Sequence, residues 1–283
     1  MGGAYPLDEE LEAKMSVEVL DAPVRNVAVE APILFLERSG RKPSLRFGYD
    51  TPASDISEIY SPRRVLIRDG RRIDASLDVE GFALARRGSA IDFTDEALIA
   101  TIGRAEAADL VRQATGARRV HVFDHTQRKR APEAPRQPST RVHVDYTADS
   151  APNRVRDLLG DEAETLLKTR VAFVNVWRAI RHPAADWPLV LADARTVAPE
   201  DLAATDIIYP DRRGEIYGLV HNPAQRWFYY PDLQLDEALL IKCYDSRTDV
   251  ARFTPHTAFE NPLTPPSAPP RESIEFRAIA FFG

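Results

Sequence analysis

The chain has 283 residues, 44% of them hydrophobic and 28% charged, with a formal net charge of −6 and a single cysteine. Its length admits one large domain with a sizeable core, and its composition is that of a globular protein rather than a disordered one. The acidic balance argues against a nucleic-acid binder, one cysteine excludes a disulfide framework or a thiolate metal cluster, and no stretch reaches the ~18 apolar residues of a membrane span.

The N-terminus has neither the basic nor the apolar region of a secretory signal, so a cytoplasmic protein is expected. Residues 17–48 hold short apolar alternations, such as Ile33-Leu34-Phe35-Leu36, that read as strands. Residues 65–73 place Asp69-Gly70 between two apolar runs and read as a hairpin. Residues 94–102 read as a short helix with Thr94 as its cap. Residues 105–116 read as a longer one, with Ala108, Leu110, Val111 and Ala114 on one face and Gly116 as the stop. Residues 119–123 read as a strand. The basic run Gln127-Arg128-Lys129-Arg130 that follows reads as a solvated loop. Residues 141–146 alternate with period two, and residues 153–167 read as a helix. Strand signals then recur at 171–177, 189–191, 216–220, 226–230, 238–244, 253–259 and 273–282, separated by proline-rich turns. Many short strands with turn residues between them predict a sandwich or barrel. The expected architecture is mainly β with flanking helices (α+β), on a double-stranded β-helix core, a cupin-like jelly roll. We expect a single domain over 1–283, with 1–100 an N-terminal elaboration and about 101–283 the jelly-roll core.

The chemistry-bearing pattern is His143-Val144-Asp145. On a strand, residues i and i+2 share a face, so imidazole and carboxylate converge. His256 lies far downstream in another strand-like segment. Two histidines and one carboxylate on one face of a barrel form the facial triad of non-haem iron enzymes, which leaves metal positions open for a bidentate 2-oxo acid and O2. His-x-Asp alone is a weak signal, because a structural His–Asp pair reads the same. A third element strengthens it. In Arg271-Glu272-Ser273-Ile274-Glu275-Phe276-Arg277, Arg271, Ser273, Glu275 and Arg277 share one face. A planar guanidinium beside a hydroxyl suits the far carboxylate of 2-oxoglutarate. Arg271 with Ser273 is the first candidate for that anchor, Arg277 the second and Lys242 the third; pairing with Glu272 or Glu275 at a sheet edge is the plainer reading of the arginines. Cys243, in an apolar run, reads as a buried hydrophobe.

The resemblance extends well beyond these residues. His143-Val144-Asp145-Tyr146-Thr147, Phe173-Val174-Asn175-Val176-Trp177-Arg178, Tyr229-Tyr230-Pro231, the run 236–246, Arg252-Phe253-Thr254-Pro255-His256 and Arg271-Glu272-Ser273 are similar to the hydroxylase/desaturase family that includes the fungal AsaB-type proteins and CmcJ. One departure is Ala179, where relatives often carry proline after Trp-Arg. The resemblance implies Fe(II), 2-oxoglutarate and O2, and the hydroxylation or desaturation of a small-molecule secondary metabolite. Tyr146, Asn175, Trp177 and Arg178 are candidates for the substrate pocket, with a wall role at least as fitting for Trp177. Of Tyr229 and Tyr230, at most one is expected to point inward. The chain has no glycine-rich loop for S-adenosylmethionine, so direct methyl transfer is rejected. Two other readings stand beside the oxygenase: a metal-dependent cupin-like isomerase or hydrolase, and a non-catalytic partner of a biosynthetic enzyme. A homodimer is the base-rate assembly.

Overall fold

The computed structural model describes residues 28–46 and 60–283; the apolar alternation read over residues 17–27 lies outside them. The first hundred residues supply β1 (Val29–Leu36), β2 (Ser44–Arg46), β3 (Tyr60–Asp69) and β4 (Phe82–Arg86). A short helix, α1 (Glu96–Leu98), runs through a π-turn at Ile99–Gly103 into α2 (Arg104–Thr115). Then come β5 (Arg119–Lys129), β6 (His143–Val144), α3 (Ser150–Leu159) and α4 (Ala163–Leu166). Strands fill the rest: β7 (Val171–Ala179), β8 (Leu189–Ala192), β9 (Leu202–Ile208), β10 (Arg213–Leu219), β11 (Trp227–Tyr229), β12 (Glu237–Asp245), β13 (His256–Ala258) and β14 (Glu272–Phe281).

The strands form two sheets. One has nine strands in the order β1-β3-β11-β8-β13-β6-β10-β9-β2; the other has five, β4-β12-β7-β14-β5. Val144, Leu191 and Phe228 of the first pack with Phe173, Trp177 and Ile241 of the second in one buried cluster, so the sheets face each other across the core. This is the jelly-roll layering expected of many short antiparallel strands. The five-stranded sheet is covered on its other side by α2, whose Ala107, Leu110 and Val111 pack against Val174, Val176 and Phe276. The central strands β7 and β12 are buried along their whole length, because both of their faces are covered. Strands from the first hundred residues extend the nine-stranded sheet at both ends and add β4 at the edge of the other.

Several local expectations change. Residues 65–73 are not a hairpin. Asp69 accepts from the Arg71 amide at 2.8 Å and caps a 3-10 turn at Gly70–Arg72. β3 pairs antiparallel with β1 and parallel with β11 instead. The first helix is capped by Asp95, which accepts from the amides of Ala97 and Leu98, rather than by Thr94. The helix read over 153–167 breaks at Gly160, whose φ of +50° suits a residue without Cβ. Strand β9, in which Ala203, Ala204 and Asp206 interrupt the β-branched Thr205, Ile207 and Ile208, is not among the expected strands. The basic run 127–130 is not a loop at its start: β5 continues to Lys129, with Gln127 and Lys129 exposed and Arg128 turned inward between them.

Candidate active site

Strands β6 and β13 lie side by side, with His256 directly opposite His143. Opposed residues of an antiparallel pair share a face. The imidazole centroids are accordingly 4.7 Å apart. Asp145 sits two residues beyond His143, just past the end of β6, and its Oδ1 is 3.4 Å from His143 Nε2. Ligand atoms of His143, Asp145 and His256 all lie within 4.8 Å of one another.

The ring orientations follow from the backbone. His143 Nδ1 is 2.8 Å from the Arg141 carbonyl, and His256 Nδ1 is 3.0 Å from the Thr254 carbonyl. A carbonyl only accepts, so each Nδ1 carries the proton and each Nε2 presents a lone pair to the shared space. Burial, with His143 alongside, pushes the His256 pKa down and keeps the ring in its neutral, ligating form at pH 7. Burial alone would raise the pKa of Asp145. The Arg277 guanidinium outweighs it and holds this carboxyl well below the usual carboxylate range.

Asp145 is gripped from the opposite sheet. Its Oδ2 accepts from Asn175 Nδ2 at 2.8 Å and from Arg277 Nε at 3.1 Å. Asn175 on β7 and Arg277 on β14 are register partners. The same pairing builds two further rows across β5, β14 and β7: Thr126, Glu275 and Trp177; then Arg128, Ser273 and Ala179. The inner face of the five-stranded sheet thus runs from a row that touches Asp145 to a row that carries Ser273.

Arg271 lies just beyond, fully buried. Its Nη1 donates to the Trp187 carbonyl at 2.5 Å and its guanidinium lies 5.4 Å from the Trp177 ring centroid. Its backbone amide donates to Asp186. Neither Arg271 Nε nor Ser273 Oγ has a hydrogen-bond partner. Burial and neighbouring Arg128 pull the Arg271 pKa down to about 9, which leaves it a cation at neutral pH. Trp187, whose carbonyl faces this guanidinium, has φ +44°, a strained conformation for a bulky residue.

The other sequence candidates separate clearly. Arg277 is committed: it donates to Asp145, to Asp124 and Thr126 at 3.0 Å, and to Glu275. Lys242 donates to Asp78 and to Asp245, in a cluster with Arg170. Neither cation is free for a co-substrate. Tyr146 packs on Phe173 with ring centroids 4.4 Å apart, and burial, with Asp145 nearby, raises its hydroxyl pKa. Trp177 is on the inner face and Asn175 holds Asp145. Arg178 is not brought to the site. It follows Trp177 and points to the opposite face, donating to the Arg87 carbonyl at 2.9 Å. Tyr229 and Tyr230 do point to opposite sides, yet both are buried, because Phe259 covers Tyr229 and Phe82 covers Tyr230. Cys243 is a buried free thiol, as expected. His125 is structural, held between Glu96 and Arg104. Sequence reasoning missed the part played by Thr254, whose carbonyl orients His256. It also missed that Arg128 turns inward, which its alternation with Thr126 and Asp124 signals.

A family model described as an oxidoreductase/YMDC permease-like domain matches residues 34–281. The chain is 32% identical over 236 residues to an Fe(II)/2-oxoglutarate-dependent dioxygenase, nvfI, of Aspergillus novofumigatus; the match covers 79% of this chain and 85% of the relative. The chain belongs to this family of Fe(II)/2-oxoglutarate-dependent oxygenases. A solved structure of the iron and alpha-ketoglutarate-dependent endoperoxidase NvfI superposes on the oxygenase with a TM-score of 0.82 and 31% identity, over 92% of this chain and 99% of that one. The hydroxylase/desaturase asaB of Aspergillus flavus is 44% identical over 136 residues, covering 43% of this chain and 60% of the relative. The oxygenase thus uses Fe(II), 2-oxoglutarate and O2. Among its described residues, no helix is long and apolar enough to cross a membrane.

Proposed function

We propose that this oxygenase oxidises a small-molecule secondary metabolite, by hydroxylation or desaturation, with Fe(II) held by His143, Asp145 and His256 and the far carboxylate of 2-oxoglutarate received by Arg271 and Ser273. The observation that carries the reading is the pair of unpartnered donors, Arg271 Nε and Ser273 Oγ, buried on the sheet face that also grips Asp145. A buried donor without a partner costs ~1–3 kcal/mol, and a carboxylate placed there satisfies both. The metal donors fit as well: two neutral imidazoles and one carboxylate are the set that ferrous iron takes with open positions left. When bound, iron supplies the oxidation chemistry together with 2-oxoglutarate and O2.

The chain's own residues bind, orient and exclude water. The carbonyls of Arg141 and Thr254 fix the two imidazoles. Asn175 and Arg277 fix one oxygen of Asp145 and leave the other toward the histidines. Trp177 shields the Arg271 guanidinium from solvent, and Tyr146 with Trp177 forms the wall nearest a substrate. The whole chain, 1–283, acts as one oxygenase domain with its first hundred residues as an elaboration, in the cytoplasm and as a homodimer. A cupin-like isomerase or hydrolase would leave Arg271 and Ser273 without a ligand.

The test is an anaerobic titration of apoprotein with Fe(II) and then 2-oxoglutarate, followed by visible absorbance. A charge-transfer band is expected, absent in His256→Ala and needing much more 2-oxoglutarate in Arg271→Ala. Iron binding without any band in the wild type would refute the co-substrate assignment.

A further inference from the structure

Six charged side chains occupy the inner rows of the five-stranded sheet and their surroundings: Arg128, Arg271 and Arg277 against Asp124, Asp145 and Glu275. All three carboxylates hydrogen-bond to Arg277. The two remaining guanidiniums are left with carbonyls. Arg271 has that of Trp187, and Arg128 donates to that of Gln137 at 2.9 Å. Among the described residues, no carboxylate hydrogen-bonds to either of them. Arg128 stands directly opposite Ser273 across the β5–β14 ladder, and its neighbours on either side, Gln127 and Lys129, face solvent. Burial lowers the pKa of Arg128, and its proximity helps lower that of Arg271. Buried Asp186 accepts from the Arg271 backbone amide and from Arg130, not from the Arg271 guanidinium, so the two cations at this end of the lined face have no carboxylate hydrogen-bonded to them, an arrangement that a ligand carboxylate would relieve.

We propose that Arg128 is a second cation of the co-substrate site, sharing with Arg271 the far carboxylate of 2-oxoglutarate. This rests on the reading of Arg271 and Ser273 given above and adds a residue from the neighbouring strand to it. The pairing is chemically apt. A carboxylate has about four lone-pair sites, so two oxygens can accept from Ser273 Oγ, Arg271 Nε and Arg128 together. Arg128 is a co-substrate-binding residue: it touches the co-substrate end remote from the metal and sets how the 2-oxo end is presented.

The experiment uses full-length Fe(II)-loaded protein under anaerobic conditions, titrated with 2-oxoglutarate and, separately, with 2-oxopentanoate, which lacks the far carboxylate. Wild type, Arg128→Gln, Arg128→Lys and Arg271→Gln are compared by the charge-transfer band, with thermal melts to verify folding. Arg128→Gln is expected to weaken 2-oxoglutarate about 10-fold, the scale of one charge-assisted hydrogen bond, while its affinity for 2-oxopentanoate stays at the wild-type value. Arg128→Lys, which keeps the charge, is expected to recover part of the loss. Equal weakening of both acids would mean that Arg128 only supports the fold. An unchanged 2-oxoglutarate affinity in Arg128→Gln would assign Arg128 to a carboxylate of the substrate or to none. Either result overturns the proposal while leaving Arg271 in place. A wild type that gives no band with either acid overturns both readings at once.

Discussion

Replacing Arg277 with leucine tests whether this guanidinium holds the metal carboxylate in place. In the native protein it donates to Asp145, Asp124, Thr126 and Glu275 at once. The Asp124 side chain is 47% exposed, so that contact is worth ~0–1 kcal/mol. Asp145 is only 13% exposed and Glu275 9%. Removing one partner of such a buried pair costs ~3–5 kcal/mol, most of it the penalty of leaving the carboxylates unpaired. Set against a net stability of ~5–15 kcal/mol, the variant still folds but with a large fraction of its margin gone. The loss extends to the metal. Removing the support of a ligand lowers metal affinity ~10–100-fold. The sign with pH is fixed by the depressed Asp145 pKa. Its contribution is present above the ordinary value of 3.8 and is lost as pH falls through the folded-state value. The stability gap between wild type and Arg277→Leu is therefore widest at neutral pH and narrows below that value. Urea unfolding of the apoproteins from neutral to acid pH, with Fe(II) titrations at pH 7, reads both effects. A variant within ~0.5 kcal/mol of wild type, or with unchanged iron affinity, would refute the claim that Arg277 positions Asp145.

Three other outcomes follow from the same geometry. Because burial depresses the pKa of His256 below 6.5, the unfolded chain binds more protons there, so apoprotein stability is full above 6.5 and declines as pH falls through the folded value; a flat urea midpoint across pH 5–7 would contradict this. Gly81→Ala places a Cβ 2.2 Å from Thr254 Oγ1 at a residue with φ +89°. It is expected to cost ~2–4 kcal/mol and, by displacing the Thr254 carbonyl from His256, to weaken Fe(II) binding measured by titration. Lys242→Met strips the buried Asp245 of one of its cations and is expected to cost ~3–5 kcal/mol in urea unfolding, with the 2-oxoglutarate titration of the folded protein unchanged; a shift in that titration would return Lys242 to the co-substrate site.

Where local pattern coincides with tertiary structure, the sequence is a good guide. The His-x-Asp pair needs only the two-residue repeat of a strand, and it survives although β6 is just His143–Val144 long. The position of Arg271 and Ser273 after His256, on one face of a final strand, likewise depends on order and alternation alone. His256 is different. Its distance along the chain says nothing about which residue it meets, and the triad closes because β13 pairs with β6 in the register that sets His256 against His143. That register is a property of the whole sheet, so a single sequence shows the ligand but not its placement. Thr254 escaped notice for the same reason: its contribution is a carbonyl, which every residue has.

The misplacement of Lys242 has a physical cause, the loss of strict alternation. Simple period two would put Lys242 on one strand face with Leu240 and Tyr244. Register against β7 breaks it. Lys242 stands opposite Val174, whereas Tyr244 stands opposite Phe173, with a bulge at Cys243 between them. Val174 belongs to the cluster under α2 and Phe173 to the core between the sheets. Residues 242 and 244 therefore lie on opposite faces, and the lysine meets Asp78 and Asp245 rather than the triad. One extra residue in a strand moves everything beyond it to the other side. Arg178 and Arg128 make the complementary point. Arg178 follows Trp177 and so must point away from it. Arg128 keeps step with Thr126 and Asp124 and so must point in, despite lying in the most basic, outwardly hydrophilic run of the chain. Alternation carried through such a run is stronger evidence for the direction of a side chain than its hydrophilicity. Here it turns a stretch read as solvated loop into a strand that sets Arg128 opposite Ser273.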